Sequence, residues 1–189
     1  MMKKYIFALI IGNVLSLPAV AANSYTVDPR HTFPSFEIDH LGFSTQRGRF
    51  NQTTGKVLLD PESARGRIQI AIVTASISTG LAELEKHLLS KEFFDATNHP
   101  LIIFVSDKLS FDKDRLVAAD GILTLHGVSK PVHLTIDHFN CGMNVVTMKN
   151  TCGANATATI KRSDFGIDKY VPAIADEVKI VVQIEATKN

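Results

Sequence analysis

The sequence predicts an all-β protein: an antiparallel sheet of about eight strands that closes or packs as a sandwich, with one short helix. Three observations predict it. Apolar and polar residues alternate along most of the chain, turn residues separate the alternating runs, and a single segment shows helical spacing. An eight-stranded barrel has just enough interior for side chains or one small ligand.

The first residues have the three parts of a secretory signal peptide. Lys3 and Lys4 give a basic start, an apolar run follows over residues 5–17, and small residues at 19–22 include an A-x-A pattern. The apolar run is about 13 residues long, shorter than the roughly 20 that span a bilayer. We therefore expect a cleaved signal over residues 1–21, with cleavage near Ala21, a barrel domain over residues 22–189 and a periplasmic protein.

Alternation is clearest in four segments. Their apolar positions are Phe36 and Ile38; Ile68, Ile70 and Ile72; Val132, Leu134 and Ile136; and Val178, Ile180, Val182 and Ile184. Further runs predict strands over residues 24–28, 47–60, 101–111, 115–126 and 155–162. Residues 112–114 and 127–131 are typical of turns between strands.

Residues 80–90 break the alternation. They contain no β-branched residue and place Leu81, Leu84 and Leu88 at helical spacing, which predicts a short amphipathic helix. Phe93 and Phe94 follow it, and we expect them to plug the same core.

The charge of the chain disfavours two classes of partner. It has 20 basic and 19 acidic residues, and loss of Lys3 and Lys4 with the signal leaves 18 against 19. A nearly neutral chain without a long basic run is a poor candidate for nucleic acid or anionic membrane surfaces.

Both cysteines, Cys141 and Cys152, lie in the part expected to be exported, where disulfides persist. They flank a polar, glycine-containing loop between two predicted strands, which favours a disulfide across the base of a hairpin. A metal pair is disfavoured because no further cysteine or histidine stands at zinc-finger spacing.

The histidines do not predict a metal site. His31 and His40 are too far apart on one extended segment, and His133 and His138 fall on opposite faces of their strand. Structural hydrogen bonds are the expected role of His31, His40 and His87, with contact to a ligand headgroup at the barrel mouth as the alternative.

The sequence also disfavours catalysis. It lacks a G-x-S-x-G elbow and a glycine-rich phosphate loop, and Asp164 and Glu177 are lone carboxylates. Arg162 with Asp164 is interpreted as a structural ion pair. We therefore expect a protein that is not an enzyme and that has no cofactor.

Bulky apolar residues on the predicted inner faces could line the barrel. Alternation alone does not distinguish a barrel filled by these side chains from a hollow one, so both interpretations stand at this point.

In order along the chain, several motifs resemble the YceI-like family of periplasmic lipid-binding proteins, over essentially all of residues 24–187. The motifs are Asp28-Pro-Arg-His31 with Phe36-Glu-Ile38-Asp-His40-Leu-Gly42, Gly48-Arg-Phe50, Lys86-His87-Leu88, Phe93-Phe94-Asp95, Pro100 with Phe104, Gly121-Ile-Leu-Thr-Leu-His-Gly127-Val-Ser-Lys-Pro131 and Arg162-Ser-Asp164-Phe165-Gly166. Three features depart from the family pattern: Leu84-Glu85 replaces the usual Arg-Asp before the helix motif, Leu89 stands where a basic residue is common, and the cysteine pair occupies a loop that often has none.

The resemblance implies a lipocalin-like, eight-stranded antiparallel β-barrel with one short α-helix and an interior channel for an isoprenoid or fatty chain. It also implies a possible homodimer. No second stretch of the sequence is long or apolar enough to span a bilayer, so we expect no stable membrane insertion. The expected ligand-binding residues are Phe36, Ile38, His40, Phe43, Phe50, Ile70, Ile72, Phe104, Leu123, Leu125, Ile136, Arg162 and Phe165. The alternatives are a filled-barrel structural or stress-related periplasmic protein and an enzyme acting on a lipid.

Overall fold

A computed structural model describes residues 22–189, so the predicted signal segment, residues 1–21, lies outside the described residues. The strands are β1 (Asn23–Val27), β2 (Phe33–His40), β3 (Ser44–Phe50), β4 (Thr53–Asp60), β5 (Arg65–Val73), β6 (Ile77–Ser78), β7 (Leu101–Asp112), β8 (Arg115–Leu125), β9 (Val128–Asn144), β10 (Lys149–Lys161) and β11 (Ile174–Lys188). The described part also contains the α-helix α1 (Ala82–Leu88) and short 3-10 helices at Thr74–Ser76 and Arg162–Phe165. None of these helices has the length and hydropathy needed to cross a bilayer.

The strand segments form a closed barrel of eight antiparallel strands, which confirms the predicted fold. β1 continues into β2, β3 into β4 and β5 into β6, so each pair is one bent strand. Each later strand pairs with the one before it, and β11 closes the ring by pairing with β1 and β2. Closure leaves no long edge strand unpaired.

Hydrogen bonds to Ser76 hold the bend between β3 and β4, which divides the segment that the sequence predicted as one strand over residues 47–60. The Gln52 backbone N–H donates to the Ser76 hydroxyl at 3.1 Å, and the Asn51 N–H donates to the Ser76 carbonyl at 3.0 Å. The strand breaks here because these groups bond to the 3-10 turn rather than to a regular ladder.

The turn between β7 and β8 falls at Lys113 and Asp114, as predicted, because Asp112 pairs with Arg115. The next turn is shorter than the predicted 127–131. His126 and Gly127, both with positive φ, form a two-residue turn, and β9 begins at Val128 and includes Pro131. Positive φ at both central residues matches the twist of paired strands, so the longer loop is not needed.

The helix lies within the predicted range 80–90 but is shorter, and none of its residues is fully buried. The segment after it packs at one end of the barrel. Phe94 packs edge-on against Phe50, with ring centroids 5.6 Å apart, and Phe93 joins the same core. We call this the helix end, and the opposite end, where β9 and β10 meet, the hairpin end.

Candidate functional site

The barrel encloses a cavity of about 830 Å³ whose wall is almost entirely apolar. This volume lies within the range of about 300–1,000 Å³ that is usual for small-molecule sites. Of the residues that the sequence predicted as ligand-binding, the following line the cavity: Phe36, Ile38, His40, Phe50, Ile70, Ile72, Phe104, Leu123, Leu125, Ile136 and Arg162. They come from six of the eight strands and from the 3-10 helix after β10, because every second residue of a barrel strand points inward.

Phe43 and Phe165 were predicted with this set, but the structure places them elsewhere. Phe43 is 85% exposed in the turn between β2 and β3, where the strand alternation has already ended at His40. Phe165 is 1% exposed in the 3-10 helix and packs in the core beside the cavity without lining it. Period-two counting does not apply to either position because neither lies on a strand.

Small residues explain why the interior is hollow. Ala154 and Ala156 take inward positions on β10, and Ala119 and Ala186 do the same on β8 and β11. An alanine leaves unfilled the volume that a leucine or phenylalanine would occupy at the same position. The alternating alanines of the segment Ala154-Asn155-Ala156 were the signal that could have favoured the hollow barrel from the sequence.

The sequence also missed a large part of the wall. The inward residues of β11, which were identified as alternating but were not assigned to the site, line the cavity at Val178, Ile180, Val182 and Ile184. Leu84, Leu88, Phe93 and Phe94 line the cavity at the helix end. Phe93 and Phe94 also pack against the core there, as predicted.

The cavity opens at the helix end. Its exposed lining residues include His40, Leu41, Leu81, His87 and Tyr170, and all of them lie at that end. His87 stacks on Tyr170, with ring centroids 6.3 Å apart, and lies 4.7 Å from the Phe93 ring. The mouth is therefore rimmed by apolar and aromatic groups.

Several charged groups near the mouth are paired with one another. Arg47 Nε donates to Glu37 Oε1 at 2.9 Å, and Lys179 Nζ lies 3.5 Å from the other oxygen. The pKa of the Glu37 carboxyl is lowered below its ordinary value, and the hydrogen bond from Arg47 is the main cause. Lys169 Nζ donates to Glu92 at 2.6 Å. Because these charges are paired, they produce no strong electrostatic field of one sign at the mouth.

Arg162 does not form the predicted ion pair with Asp164. Its side chain is buried, and its guanidinium donates to the backbone carbonyls of Ile167, Lys169, Ile174 and Ala175 at 2.9–3.0 Å. Burial lowers the pKa of this guanidinium. Arg162 therefore fastens the segment between the 3-10 helix and β11 and has little donor capacity left for a ligand.

The histidines divide into two groups. His31 Nδ1 lies 2.9 Å from Asp28 Oδ2, which confirms its predicted structural hydrogen bond. Within residues 22–189, the rings of His40 and His87 make no side-chain hydrogen bond; both instead stand at the cavity mouth.

The disulfide prediction is confirmed. Cys141 and Cys152 lie directly opposite each other on β9 and β10 and are bonded, with Cα atoms 4.0 Å apart. Cys152 also lines the hairpin-end part of the cavity.

The fold and the site together define the class: a lipocalin-like barrel with one hollow, apolar interior open at one end. Comparison with known proteins adds the family. The model of the YceI-like domain matches residues 25–186, and the chain belongs to that family. A UPF0312 protein of Pseudomonas syringae pv. tomato is 35% identical over 173 residues, 88% of each chain. One of Pseudomonas aeruginosa is 32% identical over the full length of both.

Solved structures share the fold. Burkholderia cenocepacia BcnA is similar with a TM-score of 0.71 and 26% identity, covering 84% of this chain and 98% of its own. A polyisoprenoid binding domain from Saccharophagus degradans is similar with a TM-score of 0.66 and 16% identity, covering 88% of this chain and 99% of its own. The second likeness concerns the fold alone.

Proposed function

We propose that the barrel binds one long apolar chain, of polyisoprenoid or fatty-acid type, and that the protein acts as a carrier of it rather than as an enzyme. The observation that carries the proposal is the 830 Å³ apolar cavity open at one end. The polyisoprenoid-binding description of the Saccharophagus degradans domain, which has the same fold, supports the choice of ligand class.

The energetics favour an apolar chain. Burial of apolar surface contributes about 25 cal/mol per Å². Loss of the free motion of the chain subtracts from this gain. Since the wall offers few polar groups, affinity rises with the length of hydrocarbon that fits and depends weakly on the headgroup.

A headgroup would lie at the helix end. Of the two polar residues predicted to reach it, His40 is the stronger candidate because its ring is exposed at the mouth, whereas the donors of Arg162 are largely engaged by carbonyls. His87 and Tyr170 stand beside the same opening.

The setting we propose is the periplasm. Residues 1–21 would direct export and be removed, and residues 22–189 would be the mature domain. We propose that the protein has no cofactor, binds no nucleic acid and does not insert stably into a membrane. A homodimer is a possible assembly. N-terminal sequencing of protein from the periplasmic fraction tests the export proposal, and a retained Met1 in a membrane fraction contradicts it.

Two neighbouring residues on β7 give a matched test of binding. Phe104 is 7% exposed and points into the cavity, whereas Ile103 is 37% exposed on the outer face. We expect Phe104→Arg to abolish binding of chains of several lengths, and Ile103→Arg to leave it unchanged. Circular dichroism establishes that both variants fold.

Native mass spectrometry of freshly purified protein, followed by titration of the delipidated protein with fatty and isoprenoid chains, measures the effect. If folded wild-type protein copurifies with no apolar chain and binds none, the carrier proposal is wrong. The filled-barrel structural interpretation would then replace it. Turnover of a bound lipid would favour the enzyme alternative.

A further inference from the structure

Three potential metal ligands converge outside the cavity. Asp95 and His99 lie in the segment between α1 and β7, and His126 lies in the turn between β8 and β9. One ligand atom from each residue lies within 4.8 Å of those from the other two. None of the three lines the cavity.

Local backbone structure brings the two loop residues together. The His99 N–H donates to the Asp95 carbonyl at 2.8 Å, so a single helical-type turn places both side chains on one side. The Thr74 hydroxyl donates to the His99 carbonyl at 2.7 Å and anchors this turn to the barrel.

Gly127 lets the turn and the loop approach each other. A Cβ atom at this position would lie 2.6 Å from Cε1 of His99, so any other residue here would require the His99 ring to move. Its φ of +74° also favours glycine. As a result, the His99 and His126 rings meet edge-on, with centroids 5.1 Å apart.

Hydrogen bonds to other residues occupy one polar atom each of His126 and Asp95. His126 Nδ1 donates to the Phe165 carbonyl at 3.1 Å, which leaves Nε2 available as a ligand. Asp95, 8% exposed, accepts the Asn98 side-chain amide at 2.9 Å through one oxygen only. A carbonyl behind a histidine and a hydrogen bond behind a carboxylate are the usual supports of metal ligands.

A purely structural network is the competing interpretation. It would join the carboxylate directly to an imidazole, but within residues 22–189 no hydrogen bond joins the Asp95 carboxylate to either ring. Three ligands at about 2.0–2.1 Å from a tetrahedral zinc ion lie about 3.4 Å from one another. Coordination therefore requires these atoms, which lie within 4.8 Å of one another, to approach to about 3.4 Å through side-chain rotation.

We propose that Asp95, His99 and His126 bind a divalent transition cation of the zinc class, with water in the fourth position. Two imidazoles and one carboxylate suit zinc and cobalt better than magnesium, which prefers oxygen ligands. The cation would tie the loop after α1 to the turn between β8 and β9. The sequence did not predict this site because His99 and His126 are distant in the chain and only the fold brings them together.

The test titrates purified, EDTA-dialysed protein with Co²⁺ and follows its visible absorption, then displaces Co²⁺ with Zn²⁺. We expect one equivalent to bind the wild type, and Mg²⁺ not to compete. His99→Ala and Asp95→Asn should each weaken binding by more than about tenfold. His138→Ala, which removes an exposed histidine of β9 outside the cluster, is the control and should bind like the wild type.

Side-chain ¹⁵N spectra of the wild type supply a second measurement that needs no variant. On addition of one equivalent of Zn²⁺, the signals of His99 and His126 should shift together while that of His138 stays. The proposal is overturned if folded wild-type protein binds no Co²⁺ saturably, if folded ligand variants bind as tightly as the wild type, or if Zn²⁺ shifts neither histidine signal.

Discussion

The two ends of the barrel are held by different kinds of interaction. At the hairpin end, β9 and β10 pair in register from Asn144 and Lys149 inward, and a disulfide joins Cys141 to Cys152. At the helix end, α1 is short, has no fully buried residue and lacks a side-chain hydrogen bond at its N-cap, Leu81.

The difference shows how a barrel can be closed at one end and open at the other. At the hairpin end, strand pairing satisfies the backbone of β9 and β10, and in the turn Asn144 Oδ1 accepts the N–H groups of Val146 and Thr147. At the helix end the backbone groups of irregular segments need side-chain partners, and Arg162 and Glu85 supply them. Substitutions of polar residues should therefore lower stability more at the helix end than at the hairpin end.

The largest effect is expected from Arg162→Met. The change removes the donors of one buried and three part-buried carbonyls. We expect the free energy of unfolding to fall by about 3 kcal/mol or more, since each unsatisfied buried group costs about 1–3 kcal/mol. Denaturant titration measures it. Lys161→Met, an exposed cation next in the chain, is the control and should change stability by less than about 0.5 kcal/mol. Equal stability of the two variants would contradict the role assigned to Arg162.

A similar loss of stability, without loss of binding, is expected at the hairpin end. Replacing Cys141 and Cys152 with serine opens a loop closed across 11 positions, and the chain-entropy model gives about 3 kcal/mol as the cost. Thermal unfolding with and without dithiothreitol provides the control: the reductant should destabilise the wild type and leave the double variant unchanged. A wild type insensitive to full reduction would mean that strand pairing alone fixes this end.

The smallest effect is expected from Glu85→Gln. Glu85 Oε1 accepts the backbone N–H of Thr79 at 2.7 Å and of Gly80 at 3.2 Å, which lowers the pKa of its carboxyl, chiefly through the Thr79 bond. The pKa of Glu85 is lower in the folded state, so its ionised carboxyl stabilises the fold. This stabilisation is fully present above the unfolded pKa of about 4.3 and is lost as the pH falls through the folded pKa.

The melting temperature of Glu85→Gln should therefore lie below that of the wild type at pH 7, and the gap should narrow at pH 3. Glu62→Gln, which changes an exposed carboxylate in the turn between β4 and β5, is the control and should match the wild type at both values. A gap that stays constant between the two pH values would show that the charge of Glu85 is not involved.

Local sequence patterns predicted most of the fold. Alternation along Val178 to Ile184 identified β11, helical spacing identified α1, and the spacing of Cys141 and Cys152 around a polar loop identified the disulfide. These features depend on neighbours close in the chain, so their signals are visible in one segment at a time. Alternation also named most of the inward residues, since the side chains of a strand take opposite faces in turn.

Other features depend on parts of the chain that meet only in the folded barrel. The interior is hollow because the small side chains of Ala154 and Ala156 leave space between β10 and the opposite wall of the barrel. The partners of Arg162 are carbonyls of the segment after the second 3-10 helix and of the first residues of β11, and no local sequence pattern indicates this set. The approach of His99 to His126 requires the loop after α1 to pack on the turn between β8 and β9. The cavity volume, the buried hydrogen bonds and the convergence of metal-ligand side chains depend on how distant segments pack in three dimensions. The alternation of apolar residues along one strand therefore does not predict them.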